Sequence, residues 1–96
     1  MKNAAKIACA RHILVKTHEQ AEQIKKRLDR GEDFDKLAKK FSTCPSAKRG
    51  GDLGEFRRGQ MVKAFDNVVF NKEILVIHGP IKTQFGFHLI QTIYRN

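Results

Sequence analysis

Two histidines and one cysteine are the residues of this chain best placed to do chemistry. His12 sits in ARHILVK and His88 in FGFHLI, each flanked by apolar residues. Cys44 opens CPSAKRGGDLGEFRRGQMVKAF, which holds glycines at 50, 51, 54 and 59 and apolar residues at Leu53, Phe56, Met61 and Phe65. A cysteine beside a histidine can form an activated nucleophile, and Cys44 with His12 or His88 has the residue types for it. No third residue stands out to orient the histidine, which argues against a cysteine protease. Metal chemistry has no support either. Cys9 and Cys44 are too far apart for a CxxC pair, and no histidine joins them at ligand spacing. Phosphate-binding and dinucleotide-binding fingerprints are absent. Lone histidines between apolar strand residues are usually buried, hydrogen-bonded core residues. Two of them, on strands that sheet pairing could bring together, make a candidate site.

Several elements must position these groups. Ala10–Lys16 reads as a strand, with Ile13 and Val15 on one side and His12, Leu14 and Lys16 on the other. Thr17 with Gln20 three residues on reads as a capping box for a helix bearing Ala21, Ile24 and Leu28, ended by Gly31. Asp33 caps a second helix, where Phe34, Leu37, Ala38 and Phe41 follow at i, i+3, i+4 and i+7. Pro45 stops helical continuation by disfavouring helical angles at Cys44. A short helical turn is expected at Ser46–Arg49, a strand at Asp52–Phe56 and a helix from about Val62 to Phe70. Met61 and Phe65 are four apart and share one face if that helix starts near Met61. From spacing alone Leu53, Met61 and Phe65 read as plain core. Ile74–Ile77 reads as an apolar loop pressed on the core. Pro80–Thr83 and Phe87–Arg95 read as a hairpin closed by Gln84–Gly86.

This order of strand, helices, strand, helix and two strands fits an α+β domain with helices on an antiparallel sheet. The 96 residues suit a single domain, 1–96, with one modest core, since a chain this short buries roughly 60% of its unfolded surface. No apolar run approaches the roughly 20 residues that cross a bilayer. The first residues, MKNAAKIACAR, lack a convincing signal peptide. Two cysteines make no disulfide framework. A cytoplasmic protein is the expected setting. Net charge is +9, from 19 Lys+Arg against 10 Asp+Glu. The basic residues are dispersed and not interleaved with exposed aromatics, so only weak, non-specific nucleic-acid binding is expected of them.

Three segments together carry a family resemblance. GGDLGEFRRGQMVKAF is similar to the signature of the parvulin family of peptidyl-prolyl cis/trans isomerases. ARHILVK resembles the family's first strand with its histidine, and GPIKTQFGFHLI its closing hairpin with the second. They occur in the family's order and spacing and span nearly the whole chain, with the small stand-alone bacterial parvulins nearest in kind. The resemblance implies a four-stranded antiparallel sheet surrounded by helices, of the FK506-binding-protein type, in the order β-α3-β-α-β2. It also implies an X–Pro isomerase that acts on unfolded or flexible polypeptides as a monomer, without metal or cofactor.

Isomerisation makes modest chemical demands. Amide resonance sets the barrier at about 18–20 kcal/mol. In the twisted transition state that resonance is lost and the carbonyl oxygen carries less charge. A site can favour this state by gripping the proline ring in an apolar pocket and offering the carbonyl a poorly hydrating wall. Each 1.4 kcal/mol of selective stabilisation gives about tenfold in rate.

By resemblance, Leu53, Met61 and Phe65 form the proline pocket; Gln60, next to Met61, is expected to contact the substrate backbone. His12 and His88 are implied to share a hydrogen bond, with Thr83 nearby, and to hold the geometry of the polar wall. Cys44 occupies the family's Cys-or-Asp position, an interchange that argues against an obligatory nucleophile. A thiolate or carboxylate there disfavours a partly negative amide oxygen and so favours the twisted state. Phe85 corresponds to a residue on the pocket rim. His18 and His78 have no counterpart and are expected on the surface. Phosphate-directed members carry an extended basic loop after the first strand, whereas here Lys16 runs directly into Thr17 and the first helix. No phosphate specificity is therefore expected. An apolar rim of Leu53, Phe56 and Phe85 instead favours an apolar residue before proline. Lys72–His78 is more apolar than the family pattern. Two other readings remain open: a module that binds proline-containing peptides with little catalysis, and a basic nucleic-acid-associated protein.

Overall fold

The computed structural model of the chain describes residues 5–96. Strand β1, Ile7–Val15, lies at the centre of the fold. Two-residue alternation sends Ala8, Ala10, His12 and Leu14 to one face of the sheet and Ile13 and Val15 to the other. The strand starts three residues before the expected Ala10. Ile7 and Ala8 pair with Arg57 and Phe56 on one side, and Ala8 pairs with Arg95 on the other. Lys16 has already left the strand for the turn into the first helix.

Helix α1 is His18–Asp29, and the Thr17 hydroxyl accepts from Gln20 N–H at 3.1 Å. Helix α2 is Phe34–Phe41, with the Asp33 carboxylate accepting from Asp35 N–H at 2.9 Å. A 3-10 turn at Pro45–Arg49 leads through Gly50 and Gly51 into β2, Asp52–Arg57. Helix α3 spans Lys63–Asn71, β3 Ile77–Thr83 and β4 Gly86–Arg95. All pairings are antiparallel, in the order β2-β1-β4-β3. The α+β plan and its four-stranded sheet are as expected.

Each face of the sheet carries its own apolar cluster. Against one face, Ala21, Ile24 and Leu28 of α1 and Phe34, Leu37 and Ala38 of α2 pack on Ile13, Val15 and Leu89. Against the other, Phe65, Val68, Val69 and Phe70 of α3 pack on Ala8, Ala10, Phe56 and Ile90.

Two local expectations need correction. Ile74–Ile77 is not a loop pressed on the core: Ile74, Leu75 and Val76 are exposed, and Ile77 is the first residue of β3. Leu75 N–H donates to Thr92 O at 2.7 Å, and Leu75 O accepts from the Gln91 side chain at 3.0 Å. The segment is thus held to β4 by its backbone, with its side chains in solvent. The hairpin is also tighter than expected. Thr83 pairs with Gly86, leaving only Gln84 and Phe85 in the turn. No helix of the described residues is long and apolar enough to cross a membrane.

Candidate active site

The face of the sheet that carries α3 is not fully covered. Beside α3 lies a pocket of about 410 Å³. Leu53, Met61, Val62 and Phe65 make its apolar floor, and His12, His88 and Cys44 stand along one wall. Leu14, Thr43, Pro45 and Phe85 complete the lining.

Strand pairing explains why residues 76 apart in sequence meet here. His12 pairs with Ile90 and Leu14 with His88, so the two imidazoles occupy adjacent positions on one face. Their Nδ1 atoms are 2.9 Å apart and the rings stack at 20° with centroids 5.1 Å apart. Two facing Nδ1 atoms at this distance hold one proton between two neutral rings. His88 Nε2 lies 2.7 Å from Thr83 Oγ1, which accepts from Phe85 N–H at 3.1 Å. The Phe65 ring stands edge-on to both histidines at 5.4 Å. Among the described residues, the buried Nε2 of His12 has no hydrogen-bond partner. Burial pushes the pKa of His12 down to about 4, with the charge of His88 adding to it, and burial alone pushes His88 down to about 4. Both rings are neutral at pH 7.

The glycine-rich segment and the turn before it fix the Cys44 part of this wall. His12 N–H donates to Gly51 O at 3.0 Å. Gly51 has φ +87°, and a methyl group on it would lie 2.3 Å from His12 O. Only glycine allows this approach. Cys44 caps the 3-10 turn, and the Ser46 hydroxyl donates to its sulfur at 3.2 Å. The Ser42 hydroxyl accepts from Leu14 N–H at 3.0 Å and Cys44 N–H at 3.4 Å, and Thr43 N–H donates to Leu14 O at 2.8 Å. The thiol is thereby tied to the strand that bears His12.

Most of the expected site residues converge. His12, Cys44, Leu53, Met61, Phe65, Phe85 and His88 all line the pocket, and Thr83 supports His88 from behind. Gln60 does not join them. It is exposed, and its side-chain oxygen accepts from Arg57 N–H at 2.5 Å. Phe56 is not on the rim either. It is buried edge-on to Phe65 and Phe70, because β2 alternation turns it toward α3. His18 is exposed, as expected, whereas His78 is half-buried and its Nε2 lies 2.8 Å from Glu73 O. Leu14, Thr43, Pro45 and Val62 were not singled out from the sequence. For Leu14 a signal existed, since it lies two residues beyond His12 on the same strand face. Among the described residues, no group of three or more His, Cys, Asp or Glu could hold a metal ion.

Comparison with known proteins agrees with this geometry. The family model described as "Rotamase: PPIC-type PPIASE domain" matches residues 12–93. The chain belongs to the parvulin family. This parvulin domain is 49% identical over 83 residues to the foldase protein PrsA of Geobacillus sp. strain WCH70, covering 85% of this chain and 30% of that protein. Its fold superposes on crystalline peptidylprolyl isomerase PrsA of Bacillus anthracis with a TM-score of 0.92 at 35% identity, over 97% of this chain and 43% of that one. It also matches NmPin, the parvulin of Nitrosopumilus maritimus, with a TM-score of 0.83 at 38% identity, over 96% of this chain and all of that one. The chain thus spans about 30% of the length of the curated relatives it matches.

Proposed function

We propose that this parvulin domain, residues 1–96, accelerates cis/trans isomerisation of X–Pro bonds in unfolded or flexible polypeptides. The observation that carries this reading is the pocket, in which an apolar floor meets a wall of two neutral histidines and a thiol. The floor of Leu53, Met61, Val62 and Phe65 accepts the proline ring. The amide carbonyl then lies along the wall, where Cys44 offers a sulfur and not a strong donor. A planar amide, with more charge on its oxygen, is held less well there than the twisted one. No bond to the thiol is needed. The His12–His88–Thr83 chain keeps the wall rigid.

The substrate preference is for an apolar residue before proline, without phosphate specificity. None of Lys48, Arg49, Arg57 and Arg58 lines the pocket. The Arg58 side chain is engaged elsewhere, donating to Ala5 O at 3.0 Å and lying over the Phe70 ring at 4.6 Å. The domain acts as a monomer in a reducing, cytoplasmic setting, in keeping with its two unpaired thiols. Its +9 charge adds weak, salt-sensitive attraction to nucleic acid.

A refolding assay limited by proline isomerisation tests the main reading. Catalytic amounts of the domain should speed the slow phase. A peptide-binding module without catalysis would slow that phase or leave it unchanged.

A further inference from the structure

Among the described residues, the large aliphatic side chains left in solvent are three in a row: Ile74, Leu75 and Val76, 37%, 61% and 42% exposed. They lie in Lys72–His78, where the chain is more apolar than the family pattern. Leu75 is also the one described non-glycine residue with a positive φ, +67°. In that conformation Cβ crowds the neighbouring carbonyl, a strain that glycine avoids. The turn is nevertheless firmly held. Glu73 O lies 2.8 Å from His78 Nε2, Leu75 N–H donates to Thr92 O at 2.7 Å, and Leu75 O accepts from Gln91 Nε2 at 3.0 Å. Gln91 is itself fixed, its Oε1 accepting from Arg11 Nε at 2.8 Å. A strained residue, pinned through both backbone groups, thus holds an aliphatic side chain out into water. Strain of this kind persists where a position serves a ligand, and contiguous exposed apolar side chains mark such contacts.

The same features say what covers this turn. The three side chains present on the order of 200–300 Å² of apolar surface, well short of the roughly 800 Å² per partner in a stable interface between folded chains. A second copy or a folded partner finds too little here. Both backbone groups of Leu75 are already bonded, so this residue offers apolar contact and no directional bond. Such contact suits a ligand recognised by its exposed aliphatic side chains alone, which is what an unfolded polypeptide presents. We propose that Ile74, Leu75 and Val76 form a docking point for unfolded polypeptide, separate from the pocket, which holds a client chain while one of its X–Pro bonds turns at the pocket. The turn stands just before β3, and Phe85 of the pocket lies just past its end. The seven residues of β3 set about 20–25 Å between them. About eight extended residues of a client bridge that span, whereas a tetrapeptide, about 13 Å long, does not. A held chain presents its nearby X–Pro bonds to the pocket at raised effective concentration. The inference rests on the isomerase reading and adds a second contact that only long substrates reach.

The test compares catalytic efficiency on two substrates: an unfolded protein whose refolding is limited by one X–Pro bond, and a tetrapeptide bearing the same bond. Wild type, Leu75→Gly, Leu75→Asn and Leu75→Met are measured on both. Leu75→Gly removes the side chain and the strain, Leu75→Asn keeps the left-handed turn without the apolar contact, and Leu75→Met keeps the contact. Leu75→Gly and Leu75→Asn should lose about three- to tenfold on the protein substrate, the worth of one partly covered aliphatic side chain, and nothing on the tetrapeptide. Leu75→Met should match wild type on both. Unchanged efficiency on the protein substrate in Leu75→Gly and Leu75→Asn, or an equal loss on the tetrapeptide, overturns the docking point. Sedimentation in which wild type self-associates and Leu75→Gly does not also overturns it, because a second copy then covers the turn. If wild type turns over neither substrate, the isomerase reading fails, and equilibrium binding of a reduced, carboxymethylated polypeptide judges the docking point alone. Weaker binding by Leu75→Gly and Leu75→Asn supports it, and equal binding by all four proteins overturns it.

Discussion

The two faces of the sheet are built from the same strands but finished differently. On one face, α1 and α2 together cover Ile13, Val15 and Leu89, which are fully buried. On the other, α3 covers Ala8, Ala10 and Ile90, reaches the buried histidines through Phe65 and leaves Leu14 half-buried at the pocket. One helix where the opposite face has two leaves the pocket. Alternation along β1 and β4 therefore supplies a closed core and an open site from a single pair of strands. The closed face can be judged by stability alone. The open face must answer to stability and turnover together.

Truncation separates the faces most strongly. Leu89→Ala should cost about 2–5 kcal/mol of unfolding free energy without altering turnover per folded molecule. Phe65→Ala should cost a similar amount and also lower turnover by at least about tenfold, because the floor loses its largest contact with the proline ring. Denaturant titration and peptide assays on both variants check this, and full activity in a folded Phe65→Ala protein would remove Phe65 from the site.

Acid gives the next largest contrast. His12 and His88 have folded-state pKa values near 4, below the ordinary value of about 6.5. Between these values the unfolded chain binds more protons than the folded one. The histidine contribution is therefore complete above about pH 6.5 and is lost as pH falls toward 4, a decrease of up to about 3 kcal/mol for each histidine. Urea midpoints across this range should fall in wild type. They should fall much less in a variant with both histidines replaced by non-titrating residues.

Smaller effects are expected at Cys44 and at Thr17. Cys44→Asp should keep much of the activity and Cys44→Ala should lose part of it, a change of severalfold. Loss of all turnover with Cys44→Asp and with thiol alkylation, while peptides still bind, would restore a covalent role. On the closed face, Thr17→Ala should cost about 1 kcal/mol through the lost helix cap and leave kcat/KM unchanged.

The closed face was readable because each of its signals is local. The spacing of Phe34, Leu37, Ala38 and Phe41, the caps at Thr17 and Asp33 and the stop at Gly31 all act within one or two turns of chain. The open face depends on pairing between distant strands. Apolar spacing cannot distinguish a residue that fills a core from one that floors a cavity, so only the family likeness moved Met61 and Phe65 to the site. Gln60 and Phe56 show where likeness and alternation fall short. Adjacency to Met61 did not reveal that Gln60 folds back on Arg57, and the rim assignment for Phe56 ignored the direction of its strand. Likewise, the apolar run at 74–76 looks like core by composition. Its backbone bonds to β4 decide otherwise.

The central place of β1 has a consequence for how the chain is made. Within this domain β1 is made before the other elements, yet one of its partners, β4, is made after them. Synthesis proceeds at roughly 5–20 residues per second, so β1 waits on the order of 4–16 s before β4 follows. Until then Ile13, Val15 and the edge they present have no native partner on that side. His12 and His88 cannot meet before β4 arrives, so the pocket is incomplete until then. A domain proposed to act on the folding of other chains is itself exposed, during its own synthesis, to the hazard of an unfinished sheet.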